Sequence, residues 1–266
     1  MRVSGSASSQ DIISRINSKN INNNDSNEVK RIKDALCIES KERILYPKNL
    51  SLDNLKQMAR YVNNTYIHYS GNCVLLSACL HYNIHHRQDI LSSKNTASPT
   101  VGLDSAIVDK IIFGHELNQS YCLNSIDEVE KEILNRYDIK RESSFIISAE
   151  NYIVPIIGEC RHDFNAVVIC EYDKKPYVQF IDSWKTSNIL PSLQEIKKHF
   201  SSSGEFYVRA YDEKTRLITF LNIHFMNGKL IESLSKIRCK PSPNAGGDIR
   251  RKARRALGQA TPAYSV

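Results

Sequence analysis

Glycine is scarce in this chain, with ten in 266 residues. None falls in a G-x-G-x-x-G or G-x-x-x-x-G-K pattern. Such loops let backbone N–H groups close on a phosphate, so nucleotide and dinucleotide folds are excluded. No run approaches the roughly 18 apolar residues of a membrane-spanning helix. The opening "MRVSGSASSQ" lacks the apolar stretch of a cleaved secretory signal. The seven cysteines are odd in number and contain no C-x-x-C pair. A chain of this length needs no disulfide staples, so reduced, mostly buried thiols are expected. There is no H-E-x-x-H motif. His81 and His85 do stand at helical i, i+4 spacing beside His86, a spacing that can hold zinc. No third ligand is near in sequence, so these read as helix-end histidines facing solvent or the C-terminal dipole. No cofactor and no metal are expected.

Charge is present but unevenly placed. The formal net charge is +7. Eight Lys/Arg and only Asp248 fall between Lys236 and Val266, so the tail alone supplies that excess. The body is neutral, which argues against a basic nucleic-acid groove there. "RRKARR" (250–255) has no aromatic residue for base stacking. It reads as a soluble charged tail, or as a contact for acidic protein, lipid or nucleic acid.

Residues 1–44 are rich in Ser and Asn and read as a flexible leader with marginal helices. From Ser51 the pattern is helical, with Leu52, Leu55, Met58, Ala59 and Val62 on one face. Val74–Leu80 is apolar on nearly all sides, the mark of a helix inside a core. Ser125-x-x-Glu128 and Ser192-x-x-Glu195 are capping boxes that open two more helices. Strands are expected at 145–148, 152–157, 164–172, 177–182, 205–211 and 216–226, rich in β-branched and aromatic residues. The fold class is α+β: helices first, then a mostly antiparallel sheet, over residues 45–232. Residues 233–266 are expected to be a basic, disordered tail.

One cysteine stands apart. Cys73 follows Gly71-Asn72 where the apolar helix begins. A helix N-terminus directs unpaired N–H groups and the positive dipole end at a thiol, which favours the thiolate. The alternative is a small apolar residue opening a buried helix. Cys79, inside the helix, reads as packing. A nucleophilic thiol needs a base and a group that orients it. Downstream, "CRHDFNAVVICEYDKKPYVQFIDSW" (160–184) reads as a hairpin with His162 near its open start and Asp182 at its open end. With Tyr172 facing Tyr177, Asp182 would face Val167, leaving His162 five residues further out. At about 3.3 Å per residue that is too far for a direct pair without a bulge. Asn165 would lie nearer. Asp163 reads as solvated.

"GNC" opening an apolar helix, a later His before an apolar strand, and "YVQFIDSW" together resemble the papain-like fold. The spacing is most similar to the protein-glutaminase and papain-fold toxin and effector group. The resemblance covers about Tyr69 to Trp184. It implies Cys73 as nucleophile, His162 as general base and acid, Asp182 as the orienting carboxylate, and Trp184 as a shield over the pair. It implies a thiol hydrolase acting on a protein substrate, either a glutamine deamidase or a cysteine protease. The setting it implies is a bacterial effector or toxin, delivered by a specialised secretion system and active in a target cell's cytosol. Papain carries a Gln shortly before its cysteine as an oxyanion donor; here Asn63, Asn64, His68 or Asn72 would have to serve, with Asn72 favoured. The alternatives are a thiol acyl- or amine-transferase, and a non-catalytic binding module of the same shape anchored by the basic tail.

Overall fold

The computed structural model describes residues 9–17, 26–39, 45–47, 49–63, 72–94, 102–140, 142–154, 158–171, 174–185 and 187–211. The expected strand at 216–226 and the basic tail lie outside them. The described part is an α+β unit built on a five-stranded antiparallel sheet, order β3-β7-β4-β5-β6. Its strands are β3 (Asn118–Gln119), β4 (Ser144–Val154), β5 (Gly158–Ile169), β6 (Tyr177–Ile181) and β7 (Glu205–Ala210). A separate ribbon pairs β1 (Leu36–Ile38) with β2 (Leu91–Ser93).

Alternation along the strands sends side chains to opposite faces. Phe145, Ile147, Phe164, Ala166, Val178 and Phe180 face one apolar cluster, covered by α6 (Ile126–Lys140) and α7 (Leu193–His199). Ile146, Val167 and Ile181 face the other, built with α3 (Leu52–Val62), α4 (Cys73–His86) and α5 (Ser105–Phe113). The sheet is therefore packed on both faces, rather than by a single preceding helical layer.

Within the expected leader, the described segments 9–17 and 26–39 are ordered parts of the fold. α1 (Ser9–Ile16) and α2 (Ser26–Ala35) each carry an apolar stripe, and Ile12, Ile16, Val29 and Ile32 are buried in the α3–α5 cluster. Arg15 of α1 donates to the carbonyls of Ile111 and Ile112 at the end of α5, tying the first helix to the core.

α4 is the central helix. Leu75 through Ile84 are all buried, as its even distribution of apolar residues requires. Its C-cap, Arg87, takes the left-handed conformation at φ 53°. His81 is not a solvent-facing residue. Its Nδ1 meets Ser144 Oγ at 2.8 Å and its Nε2 accepts from the Tyr211 N–H at 3.1 Å. Burial, with the charges of His85 and Arg209, brings its pKa down to about 3. It is a neutral ring that ties α4 to two strands. Asp163 likewise is buried, not solvated: Arg209 of β7 donates to Asp163 at 2.7 Å and to Asp109 of α5.

Candidate active site

Asn72 is the N-cap of α4. Its side-chain oxygen accepts from the N–H groups of Val74 (3.0 Å) and Leu75 (3.3 Å). An Asn in extended conformation satisfies the orphan donors of a first turn in this way. The cap fixes where the helix starts, and so fixes Cys73 at its first position. The task seen for Asn72 is capping through its side-chain oxygen. Cys73 itself is partly exposed, whereas Cys79, two turns on, is fully buried and its thiol is pushed up by desolvation.

The hairpin that carries the other two residues has a different register from the one expected. Ile169, not Tyr172, faces Tyr177, and Asn165 faces Ile181. β5 thus ends at Ile169 and β6 begins at Tyr177. Continuing the ladder puts Asp182 across from Phe164, only two residues from His162, or about 6–7 Å of strand. A bulge helps as well. Between Ala149↔His162 and Tyr152↔Cys160, β4 carries an extra residue opposite Arg161, with Asn151 in the left-handed region at φ 57°. A bulge bends the strand pair and re-aims the neighbouring side chain.

The result is a direct contact. His162 Nε2 lies 3.1 Å from Asp182 Oδ1, and each residue is only 1% exposed. Carboxylate oxygens accept, so Nε2 is the nitrogen that donates to Asp182. Nδ1 has no hydrogen-bond partner among the described residues, and Cys73 is close enough to favour the ring's charge. Burial alone would lower the imidazole pKa. The Asp182 carboxylate and Cys73 outweigh it and raise the value to about 10. For Asp182 the balance runs to the ionised form: burial opposes it, and His162, Lys185 and the Trp184 N–H overcome that. The charged pair is the favoured state at neutral pH.

Several contacts hold this pair in place. The Trp184 N–H donates to Asp182 Oδ1 at 3.2 Å, and Lys185 Nζ lies 3.4 Å from Oδ2. The Asp182 N–H donates to the Ile189 carbonyl at 2.9 Å. The Trp184 ring is 4.9 Å from the His162 ring and tilted by 38°, so it covers the imidazole. Phe200, just past α7, stacks on His162 at 6.0 Å and on Phe164 at 5.0 Å. Sequence reading named Trp184; it missed Lys185 and Phe200. Lys185 follows Asp-Ser-Trp by one residue, where a cation on a turn can fold back, and that was the available signal. Phe200 carried none, because it reaches His162 only through the packing of α7.

The remaining candidates fall elsewhere. Asn63 caps the C-terminal end of α3 and donates its side-chain N–H to the Ser183 carbonyl at 2.7 Å, bracing the turn after Asp182. Asn165 faces Ile181 and donates to the Ser77 carbonyl of α4 at 2.9 Å, pinning α4 to β5. Asn64 and His68 lie outside the described residues. No cluster of His, Cys, Asp and Glu suited to a metal ion occurs among the described residues, and no described helix is long and apolar enough to cross a membrane.

Comparison with known proteins gives consistent matches. Residues 1–212 match the family model described as Salmonella plasmid virulence protein SpvD. The virulence protein vsdE of Salmonella typhimurium strain LT2 is 98% identical over 214 residues, covering 80% of this chain and 99% of that protein. The virulence protein SpvD of Salmonella dublin matches to the same extent, 98% over 214 residues, 80% and 99%. Two solved structures also align, each over 77% of this chain and 100% of its own. They are a Salmonella effector SpvD G161 variant, 95% identical with a TM-score of 0.73, and an R161 variant, 85% identical with a TM-score of 0.66.

Proposed function

The chain belongs to the family of the Salmonella plasmid virulence protein SpvD, a family of bacterial virulence effectors, and from that premise we propose that it is a papain-like thiol hydrolase acting on a protein of the target cell. The observation that carries this reading is the buried 3.1 Å contact between His162 and Asp182, on a ring whose charge Cys73 also favours.

Cys73 Sγ attacks the carbonyl carbon of an amide, its proton already held by the charged His162 ring. The carbonyl oxygen becomes an oxyanion. The Asn72 cap takes the Val74 and Leu75 N–H groups, and the Cys73 N–H, which the cap does not take, donates to that oxyanion. His162 then protonates the leaving ammonia or amine, the C–N bond breaks, and a thioester remains on Cys73. Water, deprotonated by His162, attacks the thioester and releases the acid. Asp182 stays ionised throughout and holds the ring in the tautomer with hydrogen on Nε2. Trp184 and Phe200 keep water from the His162–Asp182 contact, where a lower dielectric strengthens it.

Deamidation and peptide cleavage share these steps and differ in which amide reaches Cys73. Action on a host protein, after delivery by a secretion system, fits the effector family. The test is a mass comparison of host-cell proteins incubated with the full chain and with Cys73→Ala. A side-chain amide converted to acid marks a deamidase, and new fragments mark a protease. Identical spectra for the two proteins, with the wild-type chain folded, would remove the hydrolase reading.

A further inference from the structure

Leu52 lies on the same helical stripe as Leu55, Met58, Ala59 and Val62, yet it is 39% exposed where those four are buried. It opens onto a cleft of about 420 Å³. The far wall is Ser187–Leu190, and Gln179 of β6 is at the base. Lys56 and Arg60, one turn apart on α3, complete the lining. Among the described residues no carboxylate lines the cleft. Outside the lining, Glu195 accepts from the Ser192 N–H and Oγ and from Asn188, and Asp53, 93% exposed, makes a loose surface pair with the cleft cation Lys56 at 3.9 Å.

The cleft adjoins the candidate active site through two direct links. Ile189, in its wall, accepts the backbone N–H of Asp182. Asn63, at the end of α3, donates to the carbonyl of Ser183. Counting back from Asn63 at 1.5 Å per residue, Arg60 lies about 4.5 Å and Lys56 about 10 Å along the helix. Two cations, the apolar lining residues Leu52, Ile189 and Leu190, and a volume in the range of roughly 300–1,000 Å³ typical of ligand clefts form a strip running away from the catalytic pair.

We propose that this cleft is a substrate-recognition site for an acidic stretch of the target protein. Glutamate or aspartate carboxylates pair with Lys56 and Arg60, and an apolar residue between them rests on Leu52. Arg60 supplies the fork that suits a carboxylate, and Lys56 a mobile point charge. The inference rests on the hydrolase reading, since it assigns the cleft to that enzyme's substrate.

The test measures binding without chemistry, so it stands or falls separately from catalysis. The full chain carrying Cys73→Ala is titrated against a fluorescein-labelled decapeptide of glutamate, leucine and glycine, read by anisotropy at about 0.15 M salt, where long-range attraction is screened. Adding Lys56→Glu and Arg60→Glu should weaken binding roughly tenfold or more, as like charges then meet across the contact. Lys131→Glu with Lys175→Glu, both exposed and away from the cleft, should leave it unchanged, and a lysine-for-glutamate peptide should not bind. Equal weakening by both pairs would assign binding to overall charge and overturn the proposal. So would binding that survives Lys56→Glu/Arg60→Glu in protein with an unaltered melting temperature, or no binding at all. Displacement of the peptide by inorganic phosphate at comparable concentration would make the cleft a general anion site and overturn the acidic-peptide assignment.

Discussion

His162 and Asp182, twenty residues apart in sequence, meet at 3.1 Å because β5 and β6 pair with Ile169 opposite Tyr177 and because β4 bulges beside His162. The pair has its own consequences, which can be measured without knowing the substrate.

With Asp182→Asn the carboxylate charge is gone, and burial becomes the dominant influence on the imidazole. His162 is then expected to titrate below its ordinary value of 6.5 instead of near 10. Nitrogen-15 NMR of the histidine ring across pH reads this directly. A ring that still holds its proton well above pH 7 in the variant would contradict the assignment of Asp182 as its partner.

The same pair links stability to pH. The pKa of His162 is raised in the fold, so its contribution is fully present below 6.5 and is lost as pH rises through about 10. The pKa of Asp182 is depressed, so its contribution is present above its ordinary 3.8 and is lost as pH falls through the lower folded value. The melting temperature should fall at the alkaline end in the wild type, and His162→Ala should flatten that part of the curve. Parallel curves for the two proteins above pH 7 would count against the pair.

Lys185 shares the Asp182 carboxylate with His162, at 3.4 Å. Its charge helps to keep Asp182 ionised. Lys185→Met should move the acid limb of Cys73 alkylation to higher pH, because Asp182 takes up a proton sooner. Lys185→Arg should restore the wild-type profile. An acid limb that stays in place in Lys185→Met would reduce Lys185 to a surface cation.

Asn72 is expected to act as a cap. Asn72→Ala should cost about 1 kcal/mol of stability, and Asn72→Ser, which can still accept from the first turn, should recover most of it. Thermal or urea unfolding measures both. If Ser were as destabilising as Ala, capping would not be what Asn72 contributes.

Phe200 packs against both His162 and Phe164. Phe200→Ala should destabilise the protein by about 3–5 kcal/mol, as truncating a buried aromatic leaves a cavity. Phe200→Leu, which fills most of it, should cost well under that. Equal costs would mean that ring stacking, not volume, matters here.

The sequence made the α+β class, the start of α4 and the helices α3, α6 and α7 legible, because each carries a cap or a helical apolar period. It did not reveal α1 and α2, whose short apolar stripes are diluted by Ser and Asn and gain order from packing on α5. α5 was also overlooked, although Asp104 and Gly114 bracket it as N- and C-cap. Cys73, His162 and Asp182 were legible as residue types, but the register was not. Hydrophobic alternation is equally satisfied by several loop lengths, and residues 170–176 contain turn-forming Asp, Lys and Pro throughout. The Arg209 contacts to Asp109 and Asp163 were invisible because α5, β5 and β7 meet only in the folded chain.

The most direct test of the central claim is the order in which the seven cysteines react. The native chain is treated with limiting iodoacetamide at about pH 6, where an ordinary thiol is almost wholly protonated, and labelled peptides are quantified by mass spectrometry. Cys73 should be alkylated first, ahead of the exposed Cys122 and Cys170, and His162→Ala should abolish that lead. Labelling that follows exposure alone, with Cys122 and Cys170 ahead of Cys73 and no effect of His162→Ala, would contradict it.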